Sequence, residues 1–127
     1  MTLDINVINL STIAEANRLK EFATFLYLKS LYSNSCIFNY TQVGLAKKSQ
    51  LPISNIKRNV KSFLDSGWCR IHRGNLIFNK IKTFDHHKKK IIKSIEITNP
   101  KQILKSLQKL ILENLQNKFN RLAKLNA

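Results

Sequence analysis

Acidic residues are scarce: the 127-residue chain has 7 Asp and Glu against 22 Lys and Arg, for a formal net charge of +15. Carboxylates so few and so scattered give general acid/base chemistry nothing to start from. No nucleophile, base and orienting group stand together either, so an enzyme is not expected. Cysteine is limited to Cys36 and Cys69, far apart and with no CxxC or Cys/His ligand spacing around them, which excludes a metal framework. Both lie in apolar, strand-like surroundings, where a free thiol acts as a small buried hydrophobe suited to a reducing cytoplasm. They remain candidates to neighbour each other across a sheet. His86 and His87 are adjacent, so on regular structure they point in different directions, and no third ligand is near; no metal or other cofactor is predicted. No uncharged run approaches membrane-spanning length, and Asp4 interrupts the N-terminus before any apolar core. Neither a membrane span nor a signal peptide is therefore expected, and a cytoplasmic protein with no membrane partner is. Internal repeats, low-complexity tracts and Gly/Ser linkers are absent, and 43% hydrophobic content suits one modest core with a helical appendage.

What is abundant is positive charge, and it is unevenly placed. Residues 1–40 hold three basic and three acidic residues, residues 41–79 seven and one, and residues 80–127 twelve and three. A chain made basic only for solubility has no reason to leave its first third balanced, so the excess implies a directed surface and a polyanionic partner.

Residues 3–10 alternate Leu3, Ile5 and Val7 with polar neighbours, which predicts a short strand or extended arm. Thr12 with Glu15 forms a capping box, and apolar residues at helical spacing carry a long helix from there to about Ser33. Cys36-Ile37-Phe38 predicts a short strand that pairs with a later hairpin. Thr41 and Ser54 stand where helix N-caps belong, with Pro52 between them as a breaker and Gly67 as a C-terminal stop. The first of these two helices buries Val43, Leu45 and Ala46. The second clusters Ile53, Ile56, Val60, Phe63 and Leu64 on one side at ~100° per residue, leaving Ser54, Asn55, Arg58, Lys61 and Ser62 on the other with Lys57 at the border. Two β-rich stretches around Arg73-Gly74-Asn75 then read as a hairpin, with Trp68 as a core plug. Further on, IleLysSerIleGluIle at 92–97 alternates like a strand, and Asn99-Pro100 is a strong helix start.

By the order of its elements, short strand, TQVGLAKKSQL, PISNIKRNVKSFLDSGW and CRIHRGNLIFNKI, the segment 36–82 resembles the winged helix-turn-helix family, with residues 12–33 as the supporting first helix. It departs from many members in its long turn, SerGlnLeuPro, and its short wing. The resemblance implies a mainly α fold with a small antiparallel β-hairpin and an additional long C-terminal helix. It also implies that the helix opening at Ser54 is a recognition helix in the major groove of double-stranded DNA, with Arg73-Gly74-Asn75 as the wing tip. The residue chemistry agrees. Asn55, Arg58 and Lys61 supply an amide fork, a guanidinium fork and a point charge for base edges and phosphates, and Lys57 projects beside them. Thr41, Gln42, Lys47 and Lys48 suit phosphate contacts that fix register, and Arg70, His72 and Arg73 extend the footprint. The bland alternative is a solvated basic face over an ordinary core. The Lys88-Lys89-Lys90 run with Lys93 fits a phosphate site or a soluble linker equally well.

In the last helix Leu104, Leu107, Ile111, Leu115, Phe119 and Leu122 step by 3, 4, 4, 4 and 3, a stripe that needs a partner surface. It either makes a homodimer presenting two recognition helices or folds back on the first helix. Residues 1–98 are thus expected to form the DNA-binding domain with an N-terminal extension, and 99–127 the dimerisation or fold-back helix. The expected role is a transcriptional regulator. A replication-initiation protein, or a phage or plasmid structural protein that binds nucleic acid or an acidic partner through the same surface, is the alternative.

Overall fold

The computed structural model describes residues 2–6, 10, 13–14, 16–79 and 92–125. Val7, Ile8, Thr12, Glu15, Ile81, His86, His87 and the Lys88-Lys89-Lys90 run lie outside the described residues. The described chain is mainly helical with small antiparallel sheets. It divides into two compact units, one spanning Thr24–Lys82 and the other combining Met1–Ala23 with Thr83–Ala127. No helix among the described residues is long and apolar enough to cross a membrane.

In the second of these units, β1 (Thr2–Asn6) pairs antiparallel with β5 (Ile92–Glu96), Thr2 opposite Glu96 and Asn6 opposite Ile92. Ile5 and Ile95 fall on one face of the ribbon and are buried, while on the other the Ser94 hydroxyl donates to the Asp4 carboxylate at 2.6 Å. The helix α4 (Pro100–Leu125) begins where the sequence requires: the Asn99 side-chain oxygen accepts from the Gln102 amide at 3.0 Å, and Pro100 occupies the first turn, where its missing N–H costs nothing. Ile103 and Leu107 are fully buried.

The apolar periodicity of residues 12–33 predicts one long helix, and the structure interrupts it. Ile13 and Ala14 are helical, but Asn17 adopts a left-handed conformation with φ 59°. Its amide donates to the Ala14 carbonyl at 2.9 Å and the Arg18 amide to the Ile13 carbonyl at 3.1 Å, the paired bonds that close a helix end. Asparagine tolerates this backbone better than most residues, which is why the break falls there. The chain resumes as α1 (Leu19–Ser30), with Arg18 bonded to Glu21 at 2.7 Å across the first turn.

The Thr24–Lys82 unit holds the end of α1, then β2 (Cys36–Ile37), α2 (Gln42–Ser49), α3 (Ile53–Asp65), β3 (Cys69–His72) and β4 (Asn75–Phe78). The strand expected at 36–38 does pair with the hairpin, giving a three-stranded antiparallel sheet in the order β2-β4-β3. Its core is aromatic. Phe25 meets Phe63, Trp68 and Phe78 edge-on at centroid distances of 5.4, 5.6 and 5.7 Å, and Phe63 stacks on Trp68 at 5.7 Å. Trp68 is buried, in the core role assigned to it from the sequence.

The two thiols share this sheet without being neighbours. Cys36 stands opposite Ile77 and Cys69 opposite Phe78, and successive residues of β4 face opposite sides. Both are free. Burial pushes the Cys69 thiol from its ordinary 9.0 up to about 12, although the Lys29 ammonium pulls it the other way. A raised folded-state value means that the thiol's contribution to stability is complete below pH 9.0 and is lost as pH rises toward about 12, where the folded thiol also ionises. Alkylation at pH 8 should therefore modify Cys36 on the native protein and reach Cys69 only with unfolding; equal labelling rates would contradict this. A Cys69→Ala variant should lose less stability than the parent between pH 9 and 12.

Candidate nucleic-acid interface

The helix pair is set up by its termini. Thr41, extended at φ −133°, caps α2 by accepting the Gly44 amide on its hydroxyl oxygen at 3.0 Å. The helix ends at Gln50, which takes a left-handed φ of 60°, and Leu45 and Ser49 face inward at i and i+4. Val43, expected to be buried, is 57% exposed, because it lies about 200° around the helix from Leu45. The Tyr27 hydroxyl donates to the Ser49 carbonyl at 2.9 Å and ties the end of α2 to α1.

The second helix begins earlier than the sequence reading places it. Pro52, at φ −58° and ψ 142°, occupies the N-cap position, and its carbonyl accepts the Ile56 amide at 3.1 Å. Ser54 is therefore an exposed residue of the first turn and not the cap. The far end closes as expected at Gly67, whose φ is +74°. The Gly67 amide bonds to the Leu64 carbonyl at 3.2 Å and the Trp68 amide to the Phe63 carbonyl at 2.8 Å, which turns the chain into β3 and seats Trp68 in the core.

Ile56, Val60 and Phe63 anchor α3 inward, so Ser54, Lys57, Arg58 and Lys61 stand in solvent. Asn55 is half-buried on the flank of that face. Its side-chain oxygen accepts from the Arg58 guanidinium at 3.0 Å, and its backbone carbonyl accepts from the Asn59 side-chain Nδ2 at 2.8 Å. Asp65, the only acid between residues 41 and 79, lies at the opposite end of the helix. Lys57, Arg58 and Lys61 form no ion pair among the described residues.

The hairpin turn is two residues long, His72 pairing with Asn75 across Arg73 and Gly74. Both turn residues have positive φ, 51° and 78°, the geometry that matches the twist of the flanking strands. The turn is also pinned. Gly74 accepts the Tyr40 amide at 2.9 Å, and the Asn75 side-chain oxygen accepts the Asn39 amide at 3.0 Å, so the hairpin tip and the start of α2 are held together. Asn75, expected in the wing tip, is the first residue of β4 and its side-chain oxygen holds this joint. Arg70, His72 and Arg73 are exposed, as are Thr41, Gln42, Lys47 and Lys48.

Two contributors, Tyr32 and Asn39, escaped the sequence reading. Lys48 does not extend freely: its ammonium sits 4.7 Å from the centroid of the Tyr32 ring, an attraction that fixes the charge beside α2. Asn39, through its backbone amide, is half of the hairpin joint; its neighbour Tyr40 carries a buried hydroxyl with no hydrogen-bond partner among the described residues. Burial raises the Tyr40 pKa, helped by Cys69 and Tyr32. No signal in the sequence marks Tyr32, because a ring that meets a lysine from another element has no local spacing rule. Among the described residues no group of three or more His, Cys, Asp or Glu could hold a metal ion.

On α4 the sequence-based stripe divides. Leu107 is fully buried and Leu104 and Ile111 are partly so, hence Leu107 is not available to a partner. Leu115, Phe119 and Leu122 are 54, 67 and 59% exposed, and Leu112, placed beside the stripe, joins them at 66%.

A Cβ on Gly44 would lie 2.8 Å from the Thr41 hydroxyl oxygen, so alanine there displaces the cap. Gly→Ala inside a helix ordinarily gains about 1 kcal/mol, and loss of a Thr cap costs about 1 kcal/mol. Gly44→Ala should therefore change stability little in the parent but stabilise a Thr41→Ala variant by about 1 kcal/mol. Denaturant melts of the four proteins check this, and an equal gain in both backgrounds would show that the contact is not felt.

No family model matches this chain, and no curated protein or solved structure matches it.

Proposed function

We propose that the protein is a sequence-specific double-stranded DNA-binding protein of the winged helix-turn-helix type, acting as a transcriptional regulator and not as an enzyme. The observation that carries this reading is the exposed face of α3, where Ser54, Lys57, Arg58 and Lys61 stand together over an apolar inner face with no acid on the helix but Asp65 at its far end. A helix with that face can enter a major groove, where its polar side chains reach base edges and its cations reach phosphates. The capped, exposed start of α2 and the pinned hairpin with Arg70, His72 and Arg73 supply positions for backbone contacts on either side in sequence. Seven basic residues to one acid over residues 41–79 give the electrostatic attraction that such binding requires.

Gel shifts at about 0.15 M salt with the chain's own upstream region, unrelated duplex and duplex RNA test this. The upstream duplex should bind most tightly, and Arg58→Ala should weaken that complex by roughly 1–3 kcal/mol while changing the unrelated duplex much less. Equal affinity for all three polyanions would retire the regulator in favour of nonspecific charge.

The regulator is proposed to act as a homodimer through the outer part of α4. Leu112, Leu115, Phe119 and Leu122 step by 3, 4 and 3, the spacing of a two-helix seam, and all are exposed. The positions flanking that seam from Ile111 to Leu125 carry a single charge, Lys118, so two copies meet little repulsion there. Truncation after Asn99 would remove the buried Ile103 and Leu107 as well, so a point change is the cleaner test. The parent should sediment as a dimer at about 100 μM and Phe119→Glu as a folded monomer. A monomeric parent would end the dimer proposal.

A further inference from the structure

Asn55 offers two ways to take part in reading a duplex. As a reader in its own right it would bond adenine with both ends of its amide, giving an N–H to N7 and accepting one from N6. That mode needs the side-chain oxygen turned toward the base edge. In the structure this oxygen is turned to the Arg58 guanidinium, from which it accepts at 3.0 Å. Asn55 is half-buried on the flank of α3 while Arg58 is exposed, so the arginine reaches outward and the asparagine steadies it from the side.

We infer that Asn55 is a positioning residue for Arg58, and that the guanidinium it holds, which carries only hydrogen-bond donors, selects guanine over adenine. This rests on the duplex-binding reading above. Once one guanidinium N–H is given to Asn55, the remaining N–H groups still match the two acceptors, N7 and O6, on the major-groove edge of guanine. An adenine presents one acceptor and one donor there, and the guanidinium has no acceptor for that donor. Arginine has several rotatable bonds whose freedom is lost on binding, and a side chain held in place beforehand loses less. The one carboxylate of α3 does not compete for the guanidinium: Asp65 lies seven residues along the helix, about 10 Å at 1.5 Å per residue.

The test is selection of binding sites from a random duplex pool by the parent, Asn55→Ala, Asn55→Asp and Arg58→Ala, with circular dichroism confirming that each is folded. The parent should enrich a G·C pair. Asn55→Ala should enrich the same pair with roughly three- to tenfold weaker binding, the scale of one side chain's ordering. Asn55→Asp, which keeps the acceptor for Arg58 and loses the outward donors, should keep the guanine preference, and Arg58→Ala should erase it. Replacing that guanine by 7-deazaguanine leaves the protein untouched. It should cost the parent roughly five- to a hundredfold in affinity and Arg58→Ala nothing. Loss of an A·T preference in Asn55→Ala with the guanine preference intact would overturn the inference, as would indifference of the parent to 7-deazaguanine. Failure of the parent to bind any duplex would instead remove the function proposed above, and the two failures are told apart by whether the parent enriches any site.

Discussion

The ring of Phe25 is where α1, α3 and the sheet meet, and the exposed surface of the Thr24–Lys82 unit depends on it. It contacts Phe63 from α3, Trp68 from the connection and Phe78 from β4, each edge-on, so a single side chain sets the spacing of three elements. Edge-to-face contacts are favourable only over a narrow range of ring angles, which makes this cluster more directive than an aliphatic core of similar volume. Because Phe63 shares a face of α3 with Ile56 and Val60, fixing that ring fixes the rotation of the helix. The outward position of Lys57, Arg58 and Lys61 follows from the inward position of Phe63.

The second constraint is the set of places where the backbone turns left-handed. Gln50 ends α2, Gly67 ends α3, and Arg73 with Gly74 makes the hairpin. Each reversal is brief and bonded, so the helices and the sheet follow one another with little intervening chain. An arginine at φ 51° is unusual, and it is tolerated in a turn whose neighbour is glycine and whose strands are paired on both sides. Its charge is thereby presented at the tip of a fixed hairpin and not at the end of a loose loop.

Much of this was legible in the sequence because the signals are local. Thr41, Gly67, Asn99-Pro100 and the Arg73-Gly74 turn act through bonds to residues a few positions away, and a reader of spacing can find them. Three features were not legible, for different reasons. The apolar stripe runs through Asn17 without a gap, so periodicity alone carried a helix across a point where the backbone reverses. Pro52 and Ser54 are both good helix starters, and only the Pro52 carbonyl bond to Ile56 decides between them. Ser54, Arg58 and Lys61 were readable as outward from the periodicity of α3, while Ile53, grouped with the buried side, is exposed and Ser62, placed outward, is half-buried; the contacts within that surface, Asn55 with Arg58 and Lys48 with Tyr32, depend on rotamers and on packing between elements. Residue identity fixes the kind of chemistry at such a surface more readily than the pairing of its members.

The joint between the hairpin tip and residues 39–40 also bears on how this chain can change over evolutionary time. Surface loops usually tolerate gains and losses of residues, since nothing downstream depends on their length. In this hairpin the pairing of His72 with Asn75 leaves room for two residues, and the Asn39 and Tyr40 amides are matched to the atoms that follow. One inserted residue would slide β4 by a position, turning Leu76 and Phe78 toward water and Ile77 toward the core. Variation in the reach of this surface is thus channelled into side-chain exchange at Arg73 and its neighbours, while the length of the loop itself is held constant.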